Sequence, residues 1–497
     1  MRFEGFIAQS YQSQSRRLGC EETINLTLEK DEQTGRMKFY RAPGLRDAYD
    51  AGAPSDGRGM LSINGHVFVV QGTQVKDFLF DGTTLTLAGT SGPIVNDGKR
   101  AYLAANTEAT QLVVYSGGKV YLFFAGAMTE ITWMGVPVVG VDVINDFFLF
   151  LSSQGDGFFF SEPGDASSGD PLNFRSCEGN ANKYTRLIVD RNVDVWVFGD
   201  QSSMVFYNDA GDPNEPFKKN LSASMQSGIV APDAVEAFDN RVWWIDQNGI
   251  AQASNGYNPE RISTHAVENT WRSYGNISGA FSKAVSWNGH NCIDFTFPGA
   301  TENISTAGGI VTSVGMTWRY DPLGGWTKVP GWDSANGRFV SNRGMSACIA
   351  QNRQLVADRD NGKIYILDPE YYFDSSTRVP WLRRAPNVNE EGYEVEYPWF
   401  ELAMQTGVGD GTNADLAGGT VTPEANPVVY MRYSDDWAQN FTMERFRSLG
   451  EQGDYGVRVF WTRNGAAYNR VFEVGGSAGC AIAIDDCFLR DPKVLAA

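Results

Sequence analysis

Short apolar segments recur along the chain, and each follows a turn-forming pair of residues. The clearest is RVWWIDQNGIAQ at residues 241–252, where apolar and polar positions alternate on either side of a turn. Alternation with a period of two is typical of a β-strand with one buried face. Asn-Gly, Asn-Asp and Asn-Arg pairs tolerate the positive φ that tight hairpins require. The pattern therefore predicts a chain built from β-hairpins.

The predicted hairpin turns are spaced almost evenly. Their tips lie near residues 64, 97, 145, 192, 239, 288 and 352, at intervals of 33, 48, 47, 47, 49 and 64. A period near 47 is about one four-stranded propeller blade. The spacing favours an all-β fold with a β-propeller of six or seven blades. An array of β-sandwiches with evenly spaced hairpins is the alternative.

Helical periodicity is almost absent from the chain. The best candidate is the short segment STHAVENTWRSY, with Ser263 or Thr264 as the N-cap. Two segments without strand patterns, at residues 299–315 and 405–427, interrupt the β-structure. Long loops of this kind are uncommon and often functional, so we expect them to form a gate or a docking surface.

The C-terminal region differs from the repeating part. The strand-like segments VVYMRYS, YGVRVFWTR and NRVFEVGG follow the second loop, and CAIAIDDCFL would close a small sheet. These segments predict a separate β-sandwich-like module, on which the N-terminal strand ETINLTLEK is expected to pack. The predicted division is residues 1–40 for the N-terminal strand segment, 41–395 for the propeller and 396–497 for the module with the 405–427 loop.

Composition narrows the class of protein further. The chain has 497 residues, of which 42% are hydrophobic and 54 are glycine, and its net charge is −18. Such a composition is typical of a folded protein with many turns. An acidic surface repels the DNA backbone, so DNA could slide past it without binding. The simpler explanation, which we favour, is that the charge keeps a large protein soluble.

Cysteine spacing and hydropathy indicate a soluble protein made in a reducing cytoplasm. The cysteines form no CxxC pair, so zinc is not expected and the thiols are predicted to be free. The N-terminal segment lacks the apolar core of a secretory signal. The longest apolar stretch is broken by Pro137, Asp142 and Asp146, so no membrane insertion is expected.

Motifs for catalysis, cofactors or metals are weak. His66 and His290 both follow an Asn-Gly turn, which favours a structural role, and the remaining histidine is His265. No GxSxG, phosphate-binding GxxxxGK[ST] or GxGxxG motif is found. Two Asp-rich turns, DRDNGKIYILD and NDAGDPNEP, lack the spacing of a calcium-binding EF-hand. No catalytic residue, cofactor or metal ligand is predicted.

The segment RYSDDW resembles the Asp-box of sialidase propellers. Ser434, Asp435, Asp436 and Trp437 lack the usual glycine and occur only once. In an Asp-box the Asp caps backbone amides while the Trp packs beneath it, so the motif stabilises a turn and does no chemistry. Because glycosidases need only two carboxylates, an enzyme is not excluded.

The C-terminal stretch that contains this turn resembles a recurrent pattern in the packaged-DNA stabilisation proteins of short-tailed bacteriophages, also described as tail-hub or nozzle proteins. The pattern is an S-D-D turn, L-G-x-x-G-x-Y, R-V-x-W, a Gly-containing turn and V-F-E. The turn here lacks the two glycines and the threonine usual in the family. The matching positions are Ser434, Asp435, Asp436, Leu449, Gly450, Gly453, Tyr455, Arg458, Val459, Trp461, Gly465, Val471, Phe472 and Glu473.

Other stretches resemble the same family in the same order, from about residue 20 to about residue 490. They are the N-terminal strand with Asn25, Leu26 and Glu29, the APGL and RGM segments, the RIST helix start, the strand after His290, and NGKIYILD. The positions singled out in the first part of the chain are Asn25, Pro43, Gly44, Arg58, Gly59 and His290.

The resemblance implies a mechanical function. Such proteins assemble as a ring, typically a hexamer, below the portal and adaptor rings of the virion. They close the DNA exit channel, retain the packaged genome and offer docking sites for tail fibres, tailspikes or a needle. The family has no reaction to carry over, so no residue is assigned to catalysis.

Two other functions compete with this interpretation. A propeller glycosidase or polysaccharide depolymerase would use the abundant aromatic residues to stack on host surface glycans. A receptor-binding lectin would bind such glycans without cleaving them. Cross-strand packing explains the same aromatic residues more simply.

Overall fold

Strands account for nearly all of the regular structure. The computed structural model describes residues 2–132, 135–170, 172–177, 182–190, 193–209, 215–306, 309–389, 392–409 and 426–495. Within these residues the chain forms strands β1 to β48, one α-helix and one 3₁₀ turn at Leu221–Ala223. The prediction of an all-β fold is confirmed.

Five strands precede the first complete blade. β2 and β3 are separated only by Asn25, whose φ of +54° turns the chain from one sheet into another. Asn is one of the few residues with a side chain that adopts this conformation readily. The five are β1 Tyr11–Gln12, β2 Cys20–Ile24, β3 Leu26–Lys30, β4 Met37–Arg41 and β5 Gly44–Asp50.

Five regular blades follow, and each is an antiparallel sheet of four consecutive strands. The first blade comprises β6 Gly57–Ile63, β7 His66–Gln71, β8 Gln74–Phe80 and β9 Leu85–Ser91. The second comprises β10 Tyr102–Ala105, β11 Gln111–Ser116, β12 Lys119–Phe124 and β13 Ala127–Ile131. The third comprises β14 Val138–Ile144, β15 Phe147–Ser152, β16 Gly157–Phe160 and β17 Phe174–Ser176. The fourth comprises β18 Tyr184–Asp190, β19 Asp194–Gly199, β20 Ser203–Asn208 and β21 Phe217–Lys219. The fifth comprises β22 Val235–Phe238, β23 Arg241–Ile245, β24 Ala251–Asn255 and β25 Asn258–Arg261.

One helix, α1 His265–Ser273, follows the fifth blade. The Thr264 side chain accepts a hydrogen bond from the backbone N–H of Val267 and caps the helix. Its Trp271 ring packs into the core of the sixth blade. The helix is therefore confirmed, with Thr264 rather than Ser263 as the N-cap.

The sixth blade consists of β26, β27, β30 and β31, and two hairpins, β28–β29 and β32–β33, accompany it. Residues 299–315, predicted as a loop, thus contain a hairpin; the sequence NIST…GIVT is rich in β-branched residues, which suits paired strands. The bounds are β26 Phe281–Trp287, β27 His290–Phe297, β28 Asn303–Thr306, β29 Gly309–Thr312, β30 Met316–Asp321, β31 Gly325–Lys328, β32 Gly331–Asp333 and β33 Arg338–Val340.

The seventh blade takes a strand from each end of the propeller. Its outer strand is β5, which pairs antiparallel with β36, for example Arg46 with Ile366. This joins segments more than 300 residues apart in the chain and closes the ring. The bounds are β34 Gly344–Ala350, β35 Arg353–Asp358, β36 Lys363–Asp368, β37 Phe373–Asp374 and β38 Thr377–Arg378.

The innermost strands establish the number of blades. β6, β10, β14, β18, β22, β26 and β34 contact one another in that order, and β34 returns to β6. The propeller therefore has seven blades, at the upper end of the predicted range, and the array of separate sandwiches is ruled out.

Most predicted turn tips join the first and second strands of a blade, but the tip near residue 97 was wrong. It lies between β9 and β10, in the connection between blades, and the turn of the second blade is residues 106–110. An Asn-Asp-Gly turn suits both kinds of connection, which explains the error. The tip near residue 192 and residues 410–425 of the second loop lie outside the described residues.

Most of the remaining strands form a β-sandwich together with β2, β3 and β4, and β45, β40 and β48 form a separate three-stranded sheet. One sheet has the order β2-β39-β46-β42-β43, and the other has the order β3-β4-β47-β41-β44. Phe39, Phe400, Trp461 and Phe472 lie in the core between them. The sandwich is confirmed, with N-terminal strands in both sheets; the domain boundaries at residues 40 and 395 stay a prediction. The bounds are β39 Trp381–Arg384, β40 Val395–Glu396, β41 Trp399–Met404, β42 Val428–Ser434, β43 Arg445–Ser448, β44 Val459–Thr462, β45 Ala466–Ala467, β46 Val471–Gly476, β47 Ala483–Arg490 and β48 Lys493–Val494.

Candidate functional site

The propeller and the sandwich share one continuous sheet. The outer strand of the sixth blade, β31, pairs in parallel with β2, where Ile24 lies opposite Lys328. β2 pairs with β39, β39 with β46, and β46 with β42. Backbone hydrogen bonds therefore run without a break from a propeller blade into the sandwich. We call this region the junction.

Charged side chains of alternating sign cross the propeller half of the junction. The Lys328 ammonium donates to Glu22 Oε1 at 2.7 Å and to Glu302 Oε2 at 2.5 Å. The Tyr274 hydroxyl, from the end of α1, donates to the other oxygen of Glu302. Glu22 thus pairs with a cation, and Glu302 pairs with the same cation and with a hydroxyl.

The same row continues through the sandwich half. Glu22 Oε2 lies 2.8 Å from Arg384 Nη1, and Arg384 Nε donates to Glu473 Oε2 at 2.9 Å. Arg432 Nε donates to the other oxygen of Glu473 at 2.7 Å, and Arg432 Nη1 lies 3.4 Å from Glu444. The row therefore steps across β31, β2, β39, β46 and β42, one charged residue on each strand.

Nearly all of this row is withdrawn from solvent. The side chains of Lys328 and Glu473 are 0% exposed, and that of Glu22 is 2% exposed. A buried ion pair is a poor source of net stability, but removing one partner leaves an uncompensated charge that costs about 3–5 kcal/mol. The row therefore penalises any separation of the propeller from the sandwich.

The partners also control protonation at the junction. Burial by itself raises the pKa of Glu22, but the Lys328 ammonium and the Arg384 guanidinium outweigh it and lower the pKa to about 2. Burial lowers the pKa of Lys328, whereas Glu22 and Glu302 raise it, and the net direction is upward. Both groups are charged at neutral pH as a consequence.

Asn25 is the one family-motif residue predicted from the first part of the chain that lies in the junction. Its backbone N–H donates to Lys328 O at 2.8 Å, and its side-chain amide donates to Pro380 O at 2.8 Å. Four charged residues of the junction were not predicted from the sequence: Glu22, Lys328, Arg384 and Arg432. A signal existed for Arg432, which is a charged residue within the largely apolar strand VVYMRYS.

The two carboxylates of the RYSDDW turn form hydrogen bonds within the fold. Asp435 accepts two from Arg470, at 2.7 and 2.8 Å, and the Arg470 side chain is 1% exposed. Asp436 accepts the backbone N–H groups of Gln439 and Asn440 at 3.1 and 2.9 Å and the Ser434 hydroxyl at 2.6 Å. Asp436 therefore caps backbone amides of this turn.

Arg58 and Gly59 lie where the first and second blades meet. The fully buried Arg58 donates to Ser116 Oγ at 2.7 Å and to Gly72 O at 2.6 Å. A Cβ atom at Gly59 would lie 2.5 Å from Leu103 Cδ1 and 2.6 Å from Ala101 O. The RGM segment thus determines how closely the first and second blades pack against each other.

Pro43 and Gly44 lie at the start of the strand that closes the ring. The Gly44 N–H donates to Tyr371 O at 2.7 Å, and a Cβ atom at Gly44 would lie 2.4 Å from that oxygen. Pro43 and Asn25 line a small cavity of about 30 Å³ beside them. Glycine is therefore required for the start of β5 to pack against the backbone of Tyr371 and Phe373.

His290 bridges the sixth blade and the sandwich. Its Nδ1 lies 2.7 Å from Asp321, its ring stacks on Trp287, and its Nε2 lies 3.8 Å from Glu29 of β3. The hydrogen bond with Asp321 raises the pKa of His290. His66 makes a similar pair, with Nδ1 2.8 Å from Asp77.

The last four predicted positions lie in the sandwich. Trp461 is fully buried, and its Nε1 donates to Arg445 O at 2.6 Å. Gly450 has a φ of +85°, and Tyr455 is 73% exposed. Arg458 donates to both oxygens of Glu401 at 2.9 and 3.0 Å.

The described residues contain no group of three or more His, Cys, Asp or Glu side chains placed to hold a metal ion. Among those same residues, no helix is long and apolar enough to cross a membrane. Asp358, in one of the two Asp-rich turns, accepts hydrogen bonds from Tyr365 and from the backbone of Asp360. The other turn lies largely outside the described residues.

The structure thus belongs to the class of all-β proteins in which a propeller is fused to a β-sandwich, and comparison of the sequence with family models identifies a family with the same two domains. Residues 23–372 match the model described as bacteriophage P22 Gp10, beta-propeller, and residues 380–490 match the model described as bacteriophage P22 Gp10, beta-sandwich. The chain belongs to the family of bacteriophage P22 Gp10, the tail-hub proteins that stabilise packaged DNA.

A search of curated proteins finds no match. Among solved structures, BamB from Moraxella catarrhalis is similar with a TM-score of 0.36 and 10% identity, over 62% of this chain and 92% of BamB. The extracellular domain of the one-component system BT4673 from B. thetaiotaomicron is similar with a TM-score of 0.40 and 9% identity, over 88% of this chain and 57% of that one. Likenesses this weak carry no statement about function.

Proposed function

We propose that this chain is the subunit of a tail-hub ring, a hexamer, that docks below the portal and adaptor rings of a phage virion. The ring closes the DNA exit channel, retains the packaged genome and carries tail fibres, tailspikes or a needle. It is assembled in the host cytoplasm. The observation that carries the proposal is the junction, because a plug that withstands the pressure of packaged DNA needs domains that do not separate.

The closed centre of the propeller supports the proposal that DNA passes between subunits rather than through a single subunit. Side chains from opposite blades meet across it: Tyr102 of the second blade donates to Asp233 beside the fifth at 2.6 Å. Arg100 donates to Glu236 at 3.1 Å and to Ser282 O at 2.8 Å. These bonds close the centre of each propeller to DNA, so a DNA path requires several copies around a shared axis.

The net charge of the chain is consistent with a DNA path between subunits. The chain carries a net charge of −18, and a wall of that sign repels phosphates rather than releasing their counterions. DNA would therefore pass along a ring of these subunits without binding in a sequence-specific way.

The protein acts without catalysis in this proposal, and the family-motif residues hold the fold. The carboxylates of Asp435 and Asp436, which motivated the glycosidase alternative, are engaged by Arg470 and by backbone amides. A general acid and base need access to a substrate. Incubation with host surface polysaccharides should release no reducing ends at any pH. Release of reducing ends would instead support the glycosidase alternative.

The decisive test is the mass of the purified protein, alone and mixed with its portal–adaptor complex, by native mass spectrometry. We expect a discrete addition of six subunits on mixing. A chain that remains monomeric and indifferent to the complex would contradict the proposed function.

A further inference from the structure

The outward side of one sandwich sheet carries a cluster of aromatic and basic side chains. On β41 and β44, the rings of Trp399 and Phe460 stack in parallel with their centroids 4.1 Å apart. The Arg458 guanidinium lies 5.7 Å from both ring centroids. On β47, Arg490 lies 5.8 Å from the ring of Phe488. We call this surface the arginine face.

The arginine face is exposed and already ordered. The side chains of Arg458 and Arg490 are 56% and 49% exposed, and both bond to Glu401. Trp and Arg are the residues that most often dominate binding energy at protein interfaces. Guanidinium groups held in place by a carboxylate and by aromatic rings lose little freedom on binding.

The charge of the arginine face is opposite to that of the chain. Arg458 and Arg490 share the single carboxylate of Glu401, so the cluster keeps one positive charge in a chain whose net charge is −18. Its complement is an acidic surface. Every other copy of the chain offers such surfaces.

One acidic surface of the chain is built from the turns at one end of the second and third blades. The N–H of Thr107 donates to Asp146 at 2.7 Å, and the Gln111 side chain donates to Asp165 at 3.3 Å, so the turns of the two blades are tied together. Glu108, Glu162 and Asp170 are exposed there. We call this surface the acidic rim.

Basic residues are almost missing from this part of the chain. Between Arg100 and Arg175 the sequence contains only Lys119, which lies at the opposite end of the strands, beside the turn that joins β11 to β12. Residues 101–174 therefore place no basic side chain at the acidic rim.

We propose that the arginine face of one copy docks on the acidic rim of the next copy in the ring. The inference rests on the proposed function, since it names the contact between subunits of that ring. Two different surfaces meet in this contact, so it is heterologous, and repeated rotation closes it into a ring.

Charge reversal tests the contact in solution with the full-length chain. The face variant is Arg458→Glu/Arg490→Glu, and the rim variant is Glu108→Lys/Glu162→Lys. Alone, each variant should form at least about tenfold less ring than wild type with the portal–adaptor complex, because like charges then meet at every contact. Mixed in equal amounts, the two should recover the ring with alternating subunits, because each reversed face then meets a reversed rim.

Exposed ion pairs elsewhere supply matched controls. Lys119→Glu/Arg241→Glu and Glu130→Lys/Glu260→Lys reverse the same number of charges in the pairs Lys119–Glu130 and Arg241–Glu260. Both controls should assemble like wild type.

The outcomes separate this interface from the ring itself. If wild type assembles and both the face and rim variants assemble equally well, or if the mixture fails to recover the ring, the interface is overturned while the ring stands. If the controls fail as well, the effect is one of net charge, and the interface is again overturned. A wild-type chain that forms no ring contradicts the proposed function. Because substitution beside Glu401 could also impair folding, the rim variant tests the interface independently, on exposed turns.

Discussion

The Lys328 ammonium of the sixth blade lies 2.7 Å from the Glu22 carboxylate of the sandwich strand β2, and both side chains are buried. The two residues are 306 positions apart in the sequence. Their contact lies where the propeller sheet becomes the sandwich sheet, so it links the two parts of the molecule directly.

Removing the cation should destabilise the protein strongly. Lys328→Met leaves Glu22 and Glu302 buried without their shared partner, at an expected cost of about 3–5 kcal/mol. Urea unfolding followed by tryptophan fluorescence would show this as a lower midpoint. The matched control Lys119→Met breaks a pair whose side chains are 47% and 45% exposed, and it should change stability by less than about 1 kcal/mol. Equal midpoints for the two variants would contradict the importance of the junction.

The contribution of Glu22 should depend on pH in a defined direction. Its pKa is about 2 in the folded protein against 4.5 for the free group. A depressed folded pKa gives stability that is present above the unfolded value and is lost as pH falls through the folded value. The difference between wild type and Glu22→Gln should be about 3 kcal/mol at pH 7 and should shrink between about pH 4.5 and pH 2.

Urea titrations of both proteins across that range would measure the difference directly. Glu130→Gln serves as the control, since it removes a carboxylate whose side chain is 45% exposed. A difference that stays constant with pH would mean that Glu22 contributes by packing rather than by its charge.

Adding a methyl group at Gly59 should push the first and second propeller blades apart. In Gly59→Ala the new Cβ would meet Leu103 Cδ1 at 2.5 Å and Ala101 O at 2.6 Å, and the backbone carbonyl cannot rotate away. We expect a loss of about 1–3 kcal/mol. Gly89→Ala, in β9 of the same blade, meets nothing within 4 Å and should be neutral or slightly stabilising. Thermal unfolding of the two variants side by side would reveal the contrast.

The S-D-D turn should respond to substitution as a structural element. Asp435→Ala removes the carboxylate partner of the buried Arg470, and we expect a cost of about 2 kcal/mol. Arg470 also donates to the carbonyl of Asn464, which limits the loss. Denaturant unfolding gives the value. A variant as stable as wild type would show that the turn is dispensable for the fold.

Local pattern was enough to predict the propeller because the first five blades are each a meander of four consecutive strands, and a turn-forming pair joins the first two strands of most blades. RVWWI and its turn carry that information within about a dozen residues. The junction could not be predicted in the same way, since Glu22, Lys328 and Arg384 become neighbours only after distant strands have paired. Likewise nothing in GLRDAYD, the sequence of β5, indicates that it completes a blade whose other strands begin at Gly344.

The position of β5 has a consequence for how the protein is made. Synthesis delivers β5 and the N-terminal sandwich strands first, yet their partners β36, β39, β46 and β47 emerge last. Until then the nascent chain has an open propeller and half a sandwich. A prematurely terminated chain therefore lacks the strands that pair with β5, β2 and β4, and it can complete neither the seventh blade nor the sandwich.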